Sequence, residues 1–270
     1  MKKSKLDKRS IHLRELIILG LEGGKRGHVG SSMSLVEILR VLYDHILNFD
    51  IKNLSSPKRD RLILSKGHGC LALYSLLVDK GIVNIKHLKK FCMPGSILGG
   101  HPDDSIPGVE AITGSLGHGL SIGIGMAVGL KIKKSKSKVY VIVGDGEMNE
   151  GSIWEGLMSA SKHKLNNLVL IIDNNNLQTY GTPKEVAGLS EIKTKIKSFG
   201  FEAKTINGHS LTDLKKVLKK KRQTKPLAII CKTVKGMGID FAENNLHWHH
   251  KSSLSKELIL NLKISLAKNK

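Results

Sequence analysis

The chain has 270 residues, 40% of them hydrophobic and 25% charged, which supports a packed core and excludes a disordered chain. Its apolar runs, such as residues 16–19 and 168–172, fall far short of the roughly 20 residues a membrane span needs. The net charge is +21, yet only seven of the 44 basic residues are arginine and aromatics are 4%, so bidentate phosphate recognition and base stacking are poorly supplied and nucleic-acid binding is disfavoured.

In chain order, residues 11–21 and 33–47 carry apolar side chains at helical spacing, the second run through Leu35, Ile38, Leu39, Leu42 and Ile46. Ser34 and Glu37 stand where a capping box would open that helix. A further helix is expected over 69–79, after a Gly67-His68-Gly69 loop, and a small-residue helix over 118–130 that can lie close to other backbone. Residues 139–143 form a short, wholly apolar, β-branched run before Gly144, the pattern of a buried parallel strand. A helix over 151–163, a second buried strand over 168–172, a helix over 189–199, a strand over 201–206, a helix over 210–221 and a strand over 227–231 complete the series. This alternation predicts an α/β fold, a parallel sheet sandwiched by helices, with its ligand beyond the carboxyl ends of the strands. The lysines fall in separate runs (2–8, 131–138, 193–197, 215–221 and the last few residues) and read as solvated surface. Asp7, Arg9, Arg14 and Glu15 interrupt any signal-peptide core, and Cys70, Cys92 and Cys231 form no disulfide framework, so a soluble, cytoplasmic chain is expected.

Five histidines directly follow a glycine: His28, His68, His101, His118 and His209. A glycine there lets backbone approach a ligand and leaves the imidazole free. His209 is assigned to an ordinary turn, because Asn207-Gly208 precedes it. Gly144-Asp145-Gly146 follows a buried strand, and Asn175 closes the next one (175 − 145 = 30). A strand–helix–strand unit brings Asp145 and Asn175 to adjacent strand tips. A carboxylate, an amide oxygen and a backbone carbonyl are hard donors that, with two phosphate oxygens and a water, complete an octahedron around Mg²⁺.

The stretch from Gly144 to Gly181 resembles the thiamine diphosphate motif, GDG followed about thirty residues later by Asn. The segments GGKRGHVGSSMSLVEIL, SKGHGCLALY, GGHPDDSIPGVEAITGSLGHGLSIGIGMAVG and KTVKGMGIDFAENNLHWHH are similar in order and spacing to the pyrophosphate-binding module of transketolases, from about residue 10 to 260. The nearest pattern is the transketolase N-terminal section in which the enzyme is split over two polypeptides. The resemblance implies one thiamine diphosphate-binding domain over 1–270. It implies a metal (Mg²⁺, or Ca²⁺ or Mn²⁺) held by Asp145, Asn175 and the Leu177 carbonyl. Cofactor contacts fall on His68, Gly114, Leu116, Gly144, Gly146, Asn175 and His249, and catalytic roles on His28, His101, His249 and Glu150. His28, His101 and His249 face the substrate carbonyl and hydroxyls, and Glu150 lies near the subunit boundary and helps relay cofactor activation. His250, next to His249, stands where the family commonly has glycine, and His118 where it commonly has glutamine; His249 and His250 therefore both remain candidates for the substrate-facing role.

The implied reaction moves a two-carbon ketol unit from a ketose phosphate to an aldose, and imidazoles near neutrality suit its hydroxyl contacts and proton transfers. The family's activating glutamate, the aromatic pocket for the aminopyrimidine and the sugar-phosphate arginines belong to later modules. With eleven aromatics and an end at Lys270, this chain is expected to lack them. A partner chain carrying the pyrimidine-binding and C-terminal domains is therefore expected, in an α2β2 assembly. The alternatives are the α-half of another thiamine enzyme (a 2-oxoacid dehydrogenase, decarboxylase or ketol synthase) and a basic nucleic-acid-binding protein. The Gly-His loops favour sugar chemistry over the first, and the Asp145/Asn175 spacing has no place in the second.

Overall fold

The structure is a computed structural model and describes residues 6–220 and 224–269. Lys2, Lys3, Lys5 and the final residue of the helix expected over 210–221 lie outside the described residues. Five parallel strands form one sheet in the order β1-β2-β3-β5-β4: β1 Arg61–Leu64, β2 Val139–Gly144, β3 Leu168–Asn174, β4 Glu202–Asn207 and β5 Leu227–Lys232. The α/β sandwich expected from the sequence is therefore present, with each expected strand displaced by no more than two residues. β1 has no counterpart in the expected series. It is only four residues long and follows a charged stretch, so its pattern is too short to separate from a turn.

The helices are α1 Lys8–Gly24, α2 Val29–Ser34, α3 Val36–Val41, α4 Cys70–Asp79, α5 Ile85–Leu88, α6 His118–Ile132, α7 Gly151–Lys162, α8 Pro183–Ala187, α9 Ile192–Ser198, α10 Leu211–Lys219 and α11 Lys256–Ala267. The single helix expected over 33–47 is instead α2, α3 and a π-turn over Leu42–Ile46. The expected capping box does not form. Ser34 ends α2 and donates its hydroxyl to Ser31 O (3.1 Å) and Asp173 Oδ2 (2.6 Å), while Glu37 is buried against Arg14. The Gly67-His68-Gly69 loop is a 3₁₀ turn. No helix among the described residues is long and apolar enough to cross a membrane, and the three cysteines are free.

Both faces of the sheet are covered, which is why the strands read as continuous apolar runs rather than alternating ones. Tyr140, Ile142, Val169 and Ile171 pack toward α1, α3 and α4. Val141, Val143, Leu170 and Ile172 pack on the opposite face with Leu120, Ile124 and Leu157 of α6 and α7. The small-residue character of α6 has its expected use at Gly123, where a Cβ would overlap Val141 Cγ2. On the outer side of α6, Ile122 is 36% and Ile132 76% exposed. The tips of β2 and β3, and the loops after β1 and β5, open into one cleft.

Candidate active site

Asp145 follows β2 and is 3% exposed. Its Oδ1 accepts the Gly146 N–H at 2.8 Å and its Oδ2 the Asn176 N–H at 2.5 Å, which ties the tip of β2 to the tip of β3. Burial, aided by the nearby Asp173 carboxylate, raises the Asp145 carboxyl to about 6. Asn175 accepts the Leu177 N–H (3.2 Å), and the Leu177 carbonyl accepts Lys235 Nζ (2.8 Å). Asp145, Asn175 and Leu177 all line a cleft of about 440 Å³ that also receives Gly114, Leu116 and Gly146. The three expected metal donors are thus gathered at one place.

Beneath them sits a buried ionic network that the sequence reading missed. Asp173, the last apolar-strand position before the Asn run, accepts Lys66 Nζ and Ser34 Oγ, each at 2.6 Å, and the Thr233 hydroxyl. Burial opposes its charge, but the Lys66 ammonium and these hydrogen bonds hold it below the ordinary carboxylate range. Glu147, next to the GDG turn, is equally buried. It accepts the Ser65 hydroxyl, the Gly117 N–H (2.9 Å) and the Gly144 N–H (3.2 Å), so it joins the loops after β1, before α6 and after β2. A charged residue flanking an apolar strand was the available signal for both.

The histidines converge on the same cleft. The ring of His28 lies 5.2 Å from that of His68, 6.4 Å from His101, 5.5 Å from His249 and 4.5 Å from His250. His28, His68, His101 and His249 line the cleft; His250 touches His28 without lining it. Burial, with neighbouring His250 and His249, lowers His28 to about 3. Burial and Lys235 lower His249 to about 4, and burial also lowers His68 and His101. The cluster is therefore neutral at physiological pH and able to accept or donate hydrogen bonds to hydroxyls. Gly114, with a φ of +150°, leaves room for it: a Cβ there would stand 3.0 Å from His101 Cδ2. Glu150 caps α7 at the exposed rim of the same cleft, whereas His118 points to solvent at the start of α6. His209 overturns its assignment as a solvent turn. The turn exists, but the ring is 6% exposed and bonded to Glu37 and Val234.

The donor set suits a hard cation. A hard cation bound there would take one carboxylate, from Asp145, and complete its shell with neutral oxygens and ligand phosphates; among the described residues no group of three or more His, Cys, Asp or Glu side chains is placed to hold a metal. Asn149 Oδ1 and Gln178 Nε2, both on the cleft, are buried without a partner, as expected of groups that meet a polar ligand.

Residues 7–270 match the family described as transketolase, thiamine diphosphate binding domain. The chain belongs to the transketolase family. It is 39% identical over 228 residues to one subunit of an apulose-4-phosphate transketolase of Phocaeicola vulgatus, covering 84% of this chain and 81% of that protein. It is 37% identical over 253 residues to a 6-deoxy-6-sulfo-D-fructose transketolase subunit of Clostridium sp., covering 93% and 90%. The structure superposes on the transketolase of Campylobacter jejuni with a TM-score of 0.89 and 33% identity, over 96% of this chain but 42% of that one. Transketolases of that longer kind thus contain more than this chain spans, while the two relatives named as subunits match it over most of their length. The chain matches a transketolase N-terminal subunit, and its domain is one that binds thiamine diphosphate.

Proposed function

We propose that this chain is one single-domain subunit of a two-chain, cytoplasmic transketolase that transfers a two-carbon ketol unit from a ketose phosphate to an aldose. The observation that carries this reading is the shared cleft, lined by Asp145, Asn175 and Leu177 together with four neutral histidines. Asp145, Asn175 and Leu177 would hold Mg²⁺, or Ca²⁺ or Mn²⁺, and with it the cofactor diphosphate. Gly144 and Gly146 admit the phosphates close to backbone, and Gly114, Leu116 and His68 contact the cofactor. Thiamine diphosphate, when bound, supplies the carbon nucleophile and the electron sink for C–C cleavage.

The chain's own part is orientation and proton handling. His28, His101 and His249, kept neutral by burial, hydrogen-bond the substrate's hydroxyls and carbonyl oxygen and pass protons between them. His249 Nδ1 accepts from Lys235 Nζ at 2.7 Å, which leaves Nε2–H as its donor, 3.4 Å from Thr179 Oγ1 on the cleft wall. Glu150 stands at the rim, where a second chain would meet the cofactor. The partner supplies the pyrimidine-binding and C-terminal domains in an α2β2 assembly. The names of its relatives support sugar-phosphate or sulfo-sugar substrates over 2-oxoacids. Nucleic acid has no role in this reading.

The test is reconstitution. The chain, a co-expressed partner bearing a pyrimidine-binding module, thiamine diphosphate, Mg²⁺ and a ketose phosphate should give ketol transfer, and omitting the partner should abolish it. Transfer by this chain alone, or turnover of pyruvate by the assembly, would refute the proposal.

A further inference from the structure

His209 lies outside the cleft, yet its hydrogen bonds lead into it. Its Nε2 accepts the Val234 N–H at 2.9 Å, so the neutral ring carries its proton on Nδ1, which donates to Glu37 Oε2 at 2.8 Å. Glu37 is 3% exposed and is gripped by both terminal nitrogens of Arg14, at 2.7 and 3.0 Å. Arg14, fully buried, also donates to Met237 O (2.9 Å) and Met33 O (3.0 Å). The segment after β5 is therefore pinned at Val234 and at Met237 by one buried network, and again at Gly236, whose N–H donates to Gly30 O (3.1 Å). Between the pins stands Lys235. Its stem crosses Gly30, where a Cβ would come within 2.8 Å of Lys235 Cγ, and its ammonium reaches Leu177 O (2.8 Å), Gln178 O (3.2 Å) and His249 Nδ1 (2.7 Å).

We infer that His209 is a positioning residue: through the Val234 N–H it fixes the path of residues 233–238, and so aims Lys235 at the Leu177 carbonyl and sets the tautomer of His249. The inference deepens the reading of the cleft as a transketolase site and rests on it for its catalytic consequence, but its structural part stands on this chain alone. An apolar side chain at 209 would leave Glu37 Oε2 and the Val234 N–H without these partners. Two directed polar contacts, one to a buried carboxylate and one to a backbone N–H beside a cleft lysine, do something an apolar ring cannot.

Amide isosteres separate the two bonds. In His209→Gln the side-chain oxygen can reach the place of Nε2 and accept from Val234. In His209→Asn the shorter side chain reaches only the place of Nδ1 and keeps the Glu37 contact. The full chain, without cofactor, is labelled with ¹⁵N-histidine and its ring nitrogens are read by long-range correlation spectra. His249 should show an unprotonated Nδ1 in the wild type and in His209→Gln. In His209→Asn it should move toward a mixture of tautomers. Leu214→Ala, a cavity variant on neighbouring α10, serves as a destabilised control and should leave His249 in place. A His249 signal unchanged in His209→Asn, or shifted equally by Leu214→Ala, would overturn the inference. With the partner chain and cofactor, kcat of His209→Asn should fall roughly tenfold with KM little changed, the loss expected for about 1.4 kcal/mol of misplaced contact. If the wild-type assembly shows no ketol transfer, the functional reading fails while the His249 signals still decide the positioning role.

Discussion

Asp145→Asn should make the metal-free chain more stable at alkaline pH while removing its response to a divalent cation. The carboxyl rises from 3.8 to about 6 because it is buried and faces Asp173. That difference corresponds to roughly 3 kcal/mol disfavouring the charged form. The sign follows from linkage. A carboxyl whose folded pKa is raised costs nothing below its unfolded pKa, costs progressively more as pH rises through the interval, and costs the full amount above about pH 6. Asparagine removes the charge but has one acceptor oxygen for two backbone donors, Gly146 N–H and Asn176 N–H, so it loses about 1–2 kcal/mol in hydrogen bonding. The net expectation is a gain of about 1–2 kcal/mol near pH 8, or about 2–4 °C in Tm, shrinking to nothing or reversing near pH 5. Urea unfolding in a chelating buffer at the two pH values measures this. Adding Mg²⁺ with thiamine diphosphate should stabilise the wild type and not the variant, and the cation's affinity for the wild type should fall as pH drops through about 6. A variant less stable than the wild type near pH 8 without metal, or stabilised equally by the cation, would refute the assignment of Asp145 as a carboxylate awaiting a cation.

Lys66→Met leaves the Asp173 carboxylate buried without its 2.6 Å ammonium partner, and should cost about 3–5 kcal/mol in chemical denaturation. Gly114→Ala places a methyl group at a φ of +150° and 3.0 Å from the His101 ring; it should lower kcat/KM of the assembled enzyme at least about tenfold with thiamine diphosphate affinity changed less, as read by calorimetry. Ile122→Glu on the exposed side of α6 should abolish association with the partner chain in size-exclusion chromatography while leaving the Tm of this chain within about 2 °C, because surface substitutions change stability little. The ring nitrogens of His28 and His249 should show no titration between about pH 6 and 8, since burial holds both rings neutral well below that range.

Much of this architecture is legible in the residues because the sheet is buried on both faces. Residues 139–143, 168–172 and 227–231 are uninterrupted apolar runs, and such runs have few other uses in a chain with this charge content. The site is legible for a related reason. Ligands of a parallel sheet gather where strands end, so Asp145 and Asn175 could be placed together from spacing alone, and the Gly-His pairs marked which loops come near. What escaped is what spacing does not encode. β1 is too short to carry a period. The 33–47 pattern is helical throughout, but tertiary contacts break it: Ser34 turns to Asp173 and Glu37 to Arg14, so two residues that fit a cap are drawn inward by partners 139 and 23 positions away in sequence. His209 shows the same competition in reverse. Asn207 does form its turn, accepting the His209 N–H at 3.0 Å, yet the ring swings inward because Glu37 and the Val234 N–H would otherwise be buried without it. Local rules therefore hold for the backbone at the 207–209 turn and are broken over 33–47. They fail for the side chain wherever a buried charge, Asp173 or Glu37, needs more partners than its own segment can provide. Asp173 pairs with Lys66 of the cleft, and Glu37 reaches the Lys235 segment through His209. The positions where local expectation fails are accordingly the ones that fix Lys66, Lys235 and the loop after β5 in relation to Asp145.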